Sequence, residues 1–431
     1  MPHRTVDPVR VPGLVLRDHT FHVPLDHAVP GGETIAVFAR EVTAAGEKRP
    51  DLPVLLFLQG GPGFGAPRPI EASGWIGRAV RDFRVLLLDQ RGTGRSTPVD
   101  ATTLAARGGP AAQADYLSLF RADSIVRDAE LVRKALLGPT ASWTVLGQSY
   151  GGFCAVHYLC AAPAGLRGVI TTGGLPPLSA TCDEIYRCTY RLVAEKNHRY
   201  YSRYPVDVVR VHEIVDYLAA NEVELPTGGP LTVRRFLQLG SLFGFSDGFE
   251  TVHYLVEDAF VAGPAGRELS YAFRRHFENA LSFDANPLYS ILQEACYTQG
   301  GASNWSAARV KAEFPEFEPR PDVPVLFTGE MIYPRMFAEI PALVPLREAA
   351  ERLAVKADWP PLYDAAVLAE NRVPAAAAVY YDDPYVERDL SLETARAIRG
   401  ARVWITNEYE HNGLRAKGDV LLDRLLAMLD A

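Results

Sequence analysis

The sequence predicts an α/β fold: a mostly parallel central sheet with helices on both faces, interrupted by an inserted helical cap. Three observations predict it. Short unbroken apolar runs at Leu55–Leu58, Arg84–Leu88 and Gly168–Thr172 alternate with helical stretches, the pattern of parallel strands buried on both faces. From about Leu178 to about Pro319 strand-like runs become scarce, and helical spacing rich in Tyr, Phe, Arg and Glu takes over. Strand-like runs then return at Val323–Thr328, Ala376–Tyr381 and Ala401–Thr406.

Each element follows in order. Gly13–Pro24 and Glu33–Val42 read as a β-pair turned by Pro30-Gly31-Gly32. The runs at 55–58 and 84–88 stop at Gly60-Gly61-Pro62-Gly63 and at Asp89. Asp115–Leu137 carries Leu119, Ile125, Val126, Leu131, Val132 and Leu136 at helical spacing. Ser142–Leu146 is a strand feeding a helix over Tyr150–Ala161, and Asp419–Leu429 closes the chain as a helix. The helical insertion follows the sixth strand in this count. The expected segments are 1–178 (core, first part), 179–320 (helical cap), 321–374 (return to the core with an inserted segment) and 375–431 (core, last part).

Composition narrows the class further. A chain of 431 residues with 48% hydrophobic content can bury a large core. A net charge of −8 disfavours a nucleic-acid partner. The five cysteines form no C-x-x-C and are odd in number, a poor disulfide framework that favours a reducing compartment. No apolar run reaches membrane-spanning length, and the first residues contain no apolar leader core. The expectation is a cytoplasmic protein with no membrane or nucleic-acid partner; the sequence says nothing of oligomeric state. No cofactor or metal is expected: Gly92-Thr93-Gly94-Arg95-Ser96 lacks the third glycine of a dinucleotide site, and Gly60–Gly65 lacks the Lys of a phosphate loop.

The chemistry centres on Gly147-Gln148-Ser149-Tyr150-Gly151, a G-x-S-x-G between strand and helix. Small flanking residues permit a turn sharp enough to present the Ser149 hydroxyl as a nucleophile. A serine needs a base, and the chain order nucleophile–acid–histidine filters the candidates. His3, His19, His22 and His27 precede Ser149; His157 lies on the helix behind it; His198, His212, His253 and His276 fall in the helical insertion. His411 remains, in a loop after the last strand. The acid should end the preceding strand, where Asp382 and Asp383 stand before Pro384; Asp383 is favoured, with Asp382 as the turn residue. Glu330, also after a strand-like run, ranks below both. The amides of Tyr150 and Gly61, the latter in Gln59-Gly60-Gly61-Pro62-Gly63, suit an oxyanion hole.

Gln59–Gly63, Asp89-Gln90-Arg91-Gly92-Thr93-Gly94-Arg95-Ser96 and Gly147–Gly152 together resemble the signature blocks of the prolyl aminopeptidases (proline iminopeptidases), α/β-hydrolase serine peptidases, in their larger-subunit form. The likeness covers about residues 50–175, and the loops of Asp383 and His411 fit its order. One departure is Gln59, where the shorter relatives usually carry His. The resemblance implies peptide substrates with N-terminal proline. It also implies a cap carboxylate for the charged imino group, since a buried cation needs an opposite charge. Glu294 resembles the family's cap glutamate; Glu330 is the second candidate and Glu184 the third. Aromatic walls for the proline ring are expected from Tyr150, Phe153, Tyr297 and Trp305.

Overall fold

The apolar runs become the inner strands of one ten-stranded sheet. The structure is a computed structural model and describes residues 3–46, 49–264, 266–281 and 283–430; Met1, Pro2 and Ala431, at the outer bounds of the first and last expected segments, lie outside them. Its strands are β1 (His3–Thr5), β2 (Val9–Val11), β3 (Leu14–Pro24), β4 (Thr34–Ala44), β5 (Val54–Leu58), β6 (Arg84–Leu88), β7 (Trp143–Gln148) and β8 (Leu166–Thr172). After a small separate hairpin, β9 (Phe260–Gly263) and β10 (Gly266–Leu269), come β11 (Ala375–Tyr380) and β12 (Ala401–Thr406). The order across the sheet is β1-β3-β4-β6-β5-β7-β8-β11-β12, with β2 beside β3.

From β6 to β12 every neighbour is parallel, whereas β3, β4 and β6 pair antiparallel. The two classes show in the side chains. β5 and β11 are buried at every position, as strands covered on both faces must be; β3 alternates between buried and more exposed residues. β5 sits between β6 and β7, where the chain reverses its direction of travel across the sheet. The loops after β5 and β7 therefore open side by side at the carboxyl ends of the strands, the position where open α/β sheets bind ligands.

Two expectations are corrected. The helix expected over 115–137 is two helices, Pro110–Ser118 and Ala122–Leu137. Between them the Leu119 carbonyl accepts from Arg91, and the buried Arg121 reaches out to the carbonyls of Ala295, Thr298 and Pro360. The strand expected over 323–328 does not form, so the segment 321–374 supplies no strand to the sheet. No slot exists for one between β8 and β11, which pair directly (Val169 with Ala375, Thr172 with Ala378). Instead Val325 and Phe327 pack among Tyr200, Tyr201, Phe236 and Phe243. Their backbone is tied by Tyr201 Oη to the Val325 carbonyl (2.6 Å) and by both amide atoms of Asn197 to Phe327 (2.8 and 2.9 Å).

The elements between β8 and β11 form a largely helical layer over the sheet's carboxyl edge, led by the long helix Cys182–Arg203. All five cysteines are free; the thiol of Cys182 faces Thr298 and the Glu294 carbonyl. Among the described residues no helix is long and apolar enough to cross a membrane.

Candidate active site

Ser149 joins β7 to the helix Tyr150–Ala161 with φ 53°, ψ −124°, a backbone conformation that a non-glycine residue adopts only at a cost of order 1–3 kcal/mol. The neighbouring glycines make the turn possible. A Cβ on Gly147 would lie 2.3 Å from the Gly151 carbonyl oxygen, and one on Gly151 would lie 1.9 Å from that of Leu58. The Ser149 amide donates to the Thr172 carbonyl at 3.0 Å, fixing the turn against β8.

His411 follows β12 and Asp383 follows β11, and the structure brings them together: His411 Nδ1 lies 2.6 Å from Asp383 Oδ2. Asp383 is 1% exposed, and its other oxygen accepts from the amides of Tyr385 and Val386 at 2.9 and 3.1 Å. The carboxylate is thus held rigidly with one oxygen left for the imidazole. Burial works against a charged His411, but the attraction of Asp383, helped by Glu330 and Glu410, outweighs it and lifts the pKa above the ordinary histidine value. Asp382 points elsewhere, into an ion pair with Arg199.

Ser149 and His411 face one cavity of about 680 Å³ beneath the cap. Gly60 and Gly61 of the loop after β5 line it beside Ser149, while Tyr150 starts the helix behind, its ring buried. Gly60 is confined: a Cβ there would come within 2.9 Å of the Ser149 Cβ. The Asp89–Ser96 block supports this loop. Gln90 Nε2 donates to the Gln59 carbonyl at 2.8 Å, and the buried Asp89 accepts from the Ala66 amide and from Arg68. Arg91, fully buried, makes two hydrogen bonds to Asp128 at 2.7 and 2.6 Å. The glycine-rich block is a brace for the site.

The three candidate glutamates part company. Glu330 lies on the cavity wall, and among the described residues it is the one carboxylate lining it. Its Oε1 accepts from the Tyr289 hydroxyl at 2.5 Å. Burial pushes its pKa up to about 7 against the pull of Tyr289 and His411, with Asp383 adding to the rise. Glu294 is not brought to the cavity. It is buried, and its two oxygens accept from the amides of Ser306 and Ala307 at 3.1 and 2.9 Å, at the start of the helix Ser306–Val310. Glu184 closes a capping box with Thr181 on the exposed start of the long cap helix. Glu294→Gln is therefore expected to lower stability by about 1–3 kcal/mol in thermal unfolding, because an amide NH₂ would oppose a backbone donor.

The aromatic walls also differ from expectation. Phe64, Phe245, Phe283, Tyr289 and Tyr385 line the cavity. Tyr150, Phe153 and Tyr297 pack on one another, and Trp305 packs on Phe337. No local pattern distinguishes the two sets, since each is an aromatic in a helical or loop context.

Residues 53–204 match the model of the alpha/beta hydrolase fold. The chain is 49% identical over 417 residues to a proline iminopeptidase of Aeromonas sobria, covering 96% of this chain and 97% of that protein. It is 37% identical over 415 residues to the proline iminopeptidase aneH of Aspergillus aculeatus, covering 95% and 92%. With likeness of that extent running through sheet and cap alike, the chain belongs to the proline iminopeptidase family, built on the α/β-hydrolase fold.

Proposed function

We propose that the protein is a prolyl aminopeptidase that releases N-terminal proline from peptides through a Ser149–His411–Asp383 acyl-enzyme mechanism. The observation that carries the reading is the placement of Glu330 in the same cavity as Ser149 and His411. A substrate entering with its charged imino group on Glu330 would present its first carbonyl to Ser149. His411, whose Nδ1 is held by Asp383, has Nε2 left to take the Ser149 proton and pass it to the leaving amine. The Gly61 and Tyr150 amides receive the charge that develops on the carbonyl oxygen. Phe64, Tyr289 and Tyr385 supply apolar contact for the pyrrolidine ring. Water then repeats the sequence on the acyl-enzyme, with His411 again as base. Five free cysteines support a cytoplasmic location.

A panel of aminoacyl-anilides tests the reading. Prolyl-anilide should be cleaved, and N-blocked proline and simple acyl esters far more slowly. A preference for esters or for N-blocked substrates would replace it with an esterase on the same scaffold. Glu330→Gln leaves a substrate cation without its partner, a loss of about 2–5 kcal/mol, or roughly 30- to 5,000-fold in kcat/KM for prolyl-anilide. Ester hydrolysis by the same variant should change little.

The pH dependence carries the same signature. Glu330 holds the cation only when ionised, and His411 accepts a proton only when neutral. With Glu330 at about 7 and His411 raised, kcat/KM falls as pH drops through and below that range. In Glu330→Gln the acid limb should retain the His411 ionisation alone, which a pH–rate profile reads directly.

A further inference from the structure

Both loops that carry the triad are gripped by the cap, and the grip falls on the residue beside each triad member. Lys196 Nζ, on the helix Cys182–Arg203, donates to Glu410 Oε2 at 2.6 Å; Glu410 precedes His411. Three residues along, Arg199 bonds Asp382 at 2.7 and 3.2 Å, and Asp382 precedes Asp383. The spacing puts both cations on one face of one helix. A second stretch of the cap completes the hold. The His411 amide donates to the Gly244 carbonyl at 3.0 Å, and Ser246 donates through its amide and its hydroxyl to Asn412 Oδ1 at 3.0 and 2.8 Å. The Tyr385 hydroxyl donates to the Ser241 carbonyl. Residues 410, 411 and 412 are thus each tied to the cap.

We propose that Lys196 and Arg199 are positioning residues: through their ion pairs the cap sets the separation and orientation of the loops bearing His411 and Asp383. The cap then aligns the general base as well as roofing the substrate. This rests on the reading of Ser149, His411 and Asp383 as the triad.

The two pairs are unequal. The Lys196 side chain is 2% exposed, so a shift of the His411 loop would strand a buried ammonium. Half of the Arg199 side chain is exposed (49%), and its pair is screened by solvent. The local charge balance points the same way. His411 is faced by Asp383 from the loop after β11, by Glu330 from the segment following Thr328, and by Glu410 from its own loop. Burial pushes Glu410 up, Asp383 and Asp382 add to the rise, and Lys196 opposes it. Lys196 is the cation that opposes this rise and holds the carboxylate in place.

The test uses the full-length protein and two readouts: kcat and KM on prolyl-anilide, and the rate at which a fluorophosphonate labels Ser149. Lys196→Met should lower kcat and the labelling rate together by about tenfold or more, the scale of a misplaced catalytic group. KM should stay within about twofold, because amine binding at Glu330 is untouched. Glu410→Gln should match it, and the double variant should cost no more than either single change, since one ion pair carries the effect. Lys196→Arg should recover most of the rate. In Lys196→Met the acid limb of the labelling rate should move upward, because Glu410 faces His411 without its counter-charge, and it should return in the double variant. Arg199→Met, at the exposed pair, should cost about two- to fivefold, and it provides the reading if Lys196→Met does not fold.

Unchanged kcat and labelling with only a lowered melting temperature would overturn the proposal, as would additive single effects. A wild-type enzyme labelled at Ser149 but inert to prolyl-anilide would remove the substrate reading and leave the labelling arm intact. A wild-type enzyme that is neither labelled nor active would overturn the triad reading and this proposal with it.

Discussion

Ser149→Ala is expected to lower kcat for prolyl-anilide by on the order of 10⁶-fold while leaving the fold and substrate binding intact. The size follows from the division of labour at the elbow. In the proposed mechanism the hydroxyl supplies the bond-forming atom, whereas the turn itself is held by the Ser149 amide on Thr172 and by the glycines packed around it. Alanine meets the same positive φ as serine, so the strained turn is kept without a new penalty. A β-branched replacement would add one. The measurement is steady-state turnover with a thermal melt and fluorophosphonate labelling on the same sample. Wild-type turnover in purified Ser149→Ala would remove Ser149 from the reaction.

Asp383→Asn should cost about 10⁴-fold in kcat, and Asp382→Asn no more than about fivefold. The adjacent acids make the comparison informative. Asparagine at 383 can still accept from the Tyr385 and Val386 amides, so the loop keeps its shape. What it loses is the charge that faces His411 Nδ1 and, in the proposed mechanism, stabilises the imidazolium formed when Ser149 gives up its proton. Removing that carboxylate also lowers the His411 pKa, so the acid limb of the residual activity should shift to lower pH. Asparagine at 382 loses only a solvent-screened pair with Arg199. Similar losses in the two variants would show that the orienting charge belongs to neither residue alone.

Residues whose placement depends on chain order and local turn chemistry were legible in the sequence. A nucleophile between strand and helix, an acid after the penultimate strand and a histidine after the last strand are statements about connectivity, and connectivity is written along the chain. Asp382 and Asp383 could be narrowed but not separated by geometry, because only the folded loop decides which carboxylate meets Nδ1 and which meets Arg199. The reading over 323–328 failed for a related reason. An apolar run announces that it is buried, but not what buries it. Here the cap aromatics bury it, and Pro324 already lacks the N–H that an inner strand would use. Glu294 and Glu330 look alike as acids in apolar surroundings. Their difference is the Ser306 and Ala307 amides that occupy Glu294, a contact made by chain folding back after a left-handed turn at Trp305. The brace formed by Asp89, Gln90 and Arg91 likewise emerges only when distant loops are brought together.

The direct pairing of β8 with β11 has a consequence for how such a protein can diversify. Everything from 173 to 374 leaves and re-enters between two strands that already touch, so the sheet's register closes without it. Caps ought therefore to be exchangeable between relatives as interchangeable lids, altering the substrate while sparing the scaffold. The ion pairs to Asp382 and Glu410 set the terms of that exchange. A transplanted lid that lacks two cations one helical turn apart would sit on a sound sheet over a misaligned base. On the proposed latch, a new lid would serve this scaffold only if it brought the same two cations to Glu410 and Asp382.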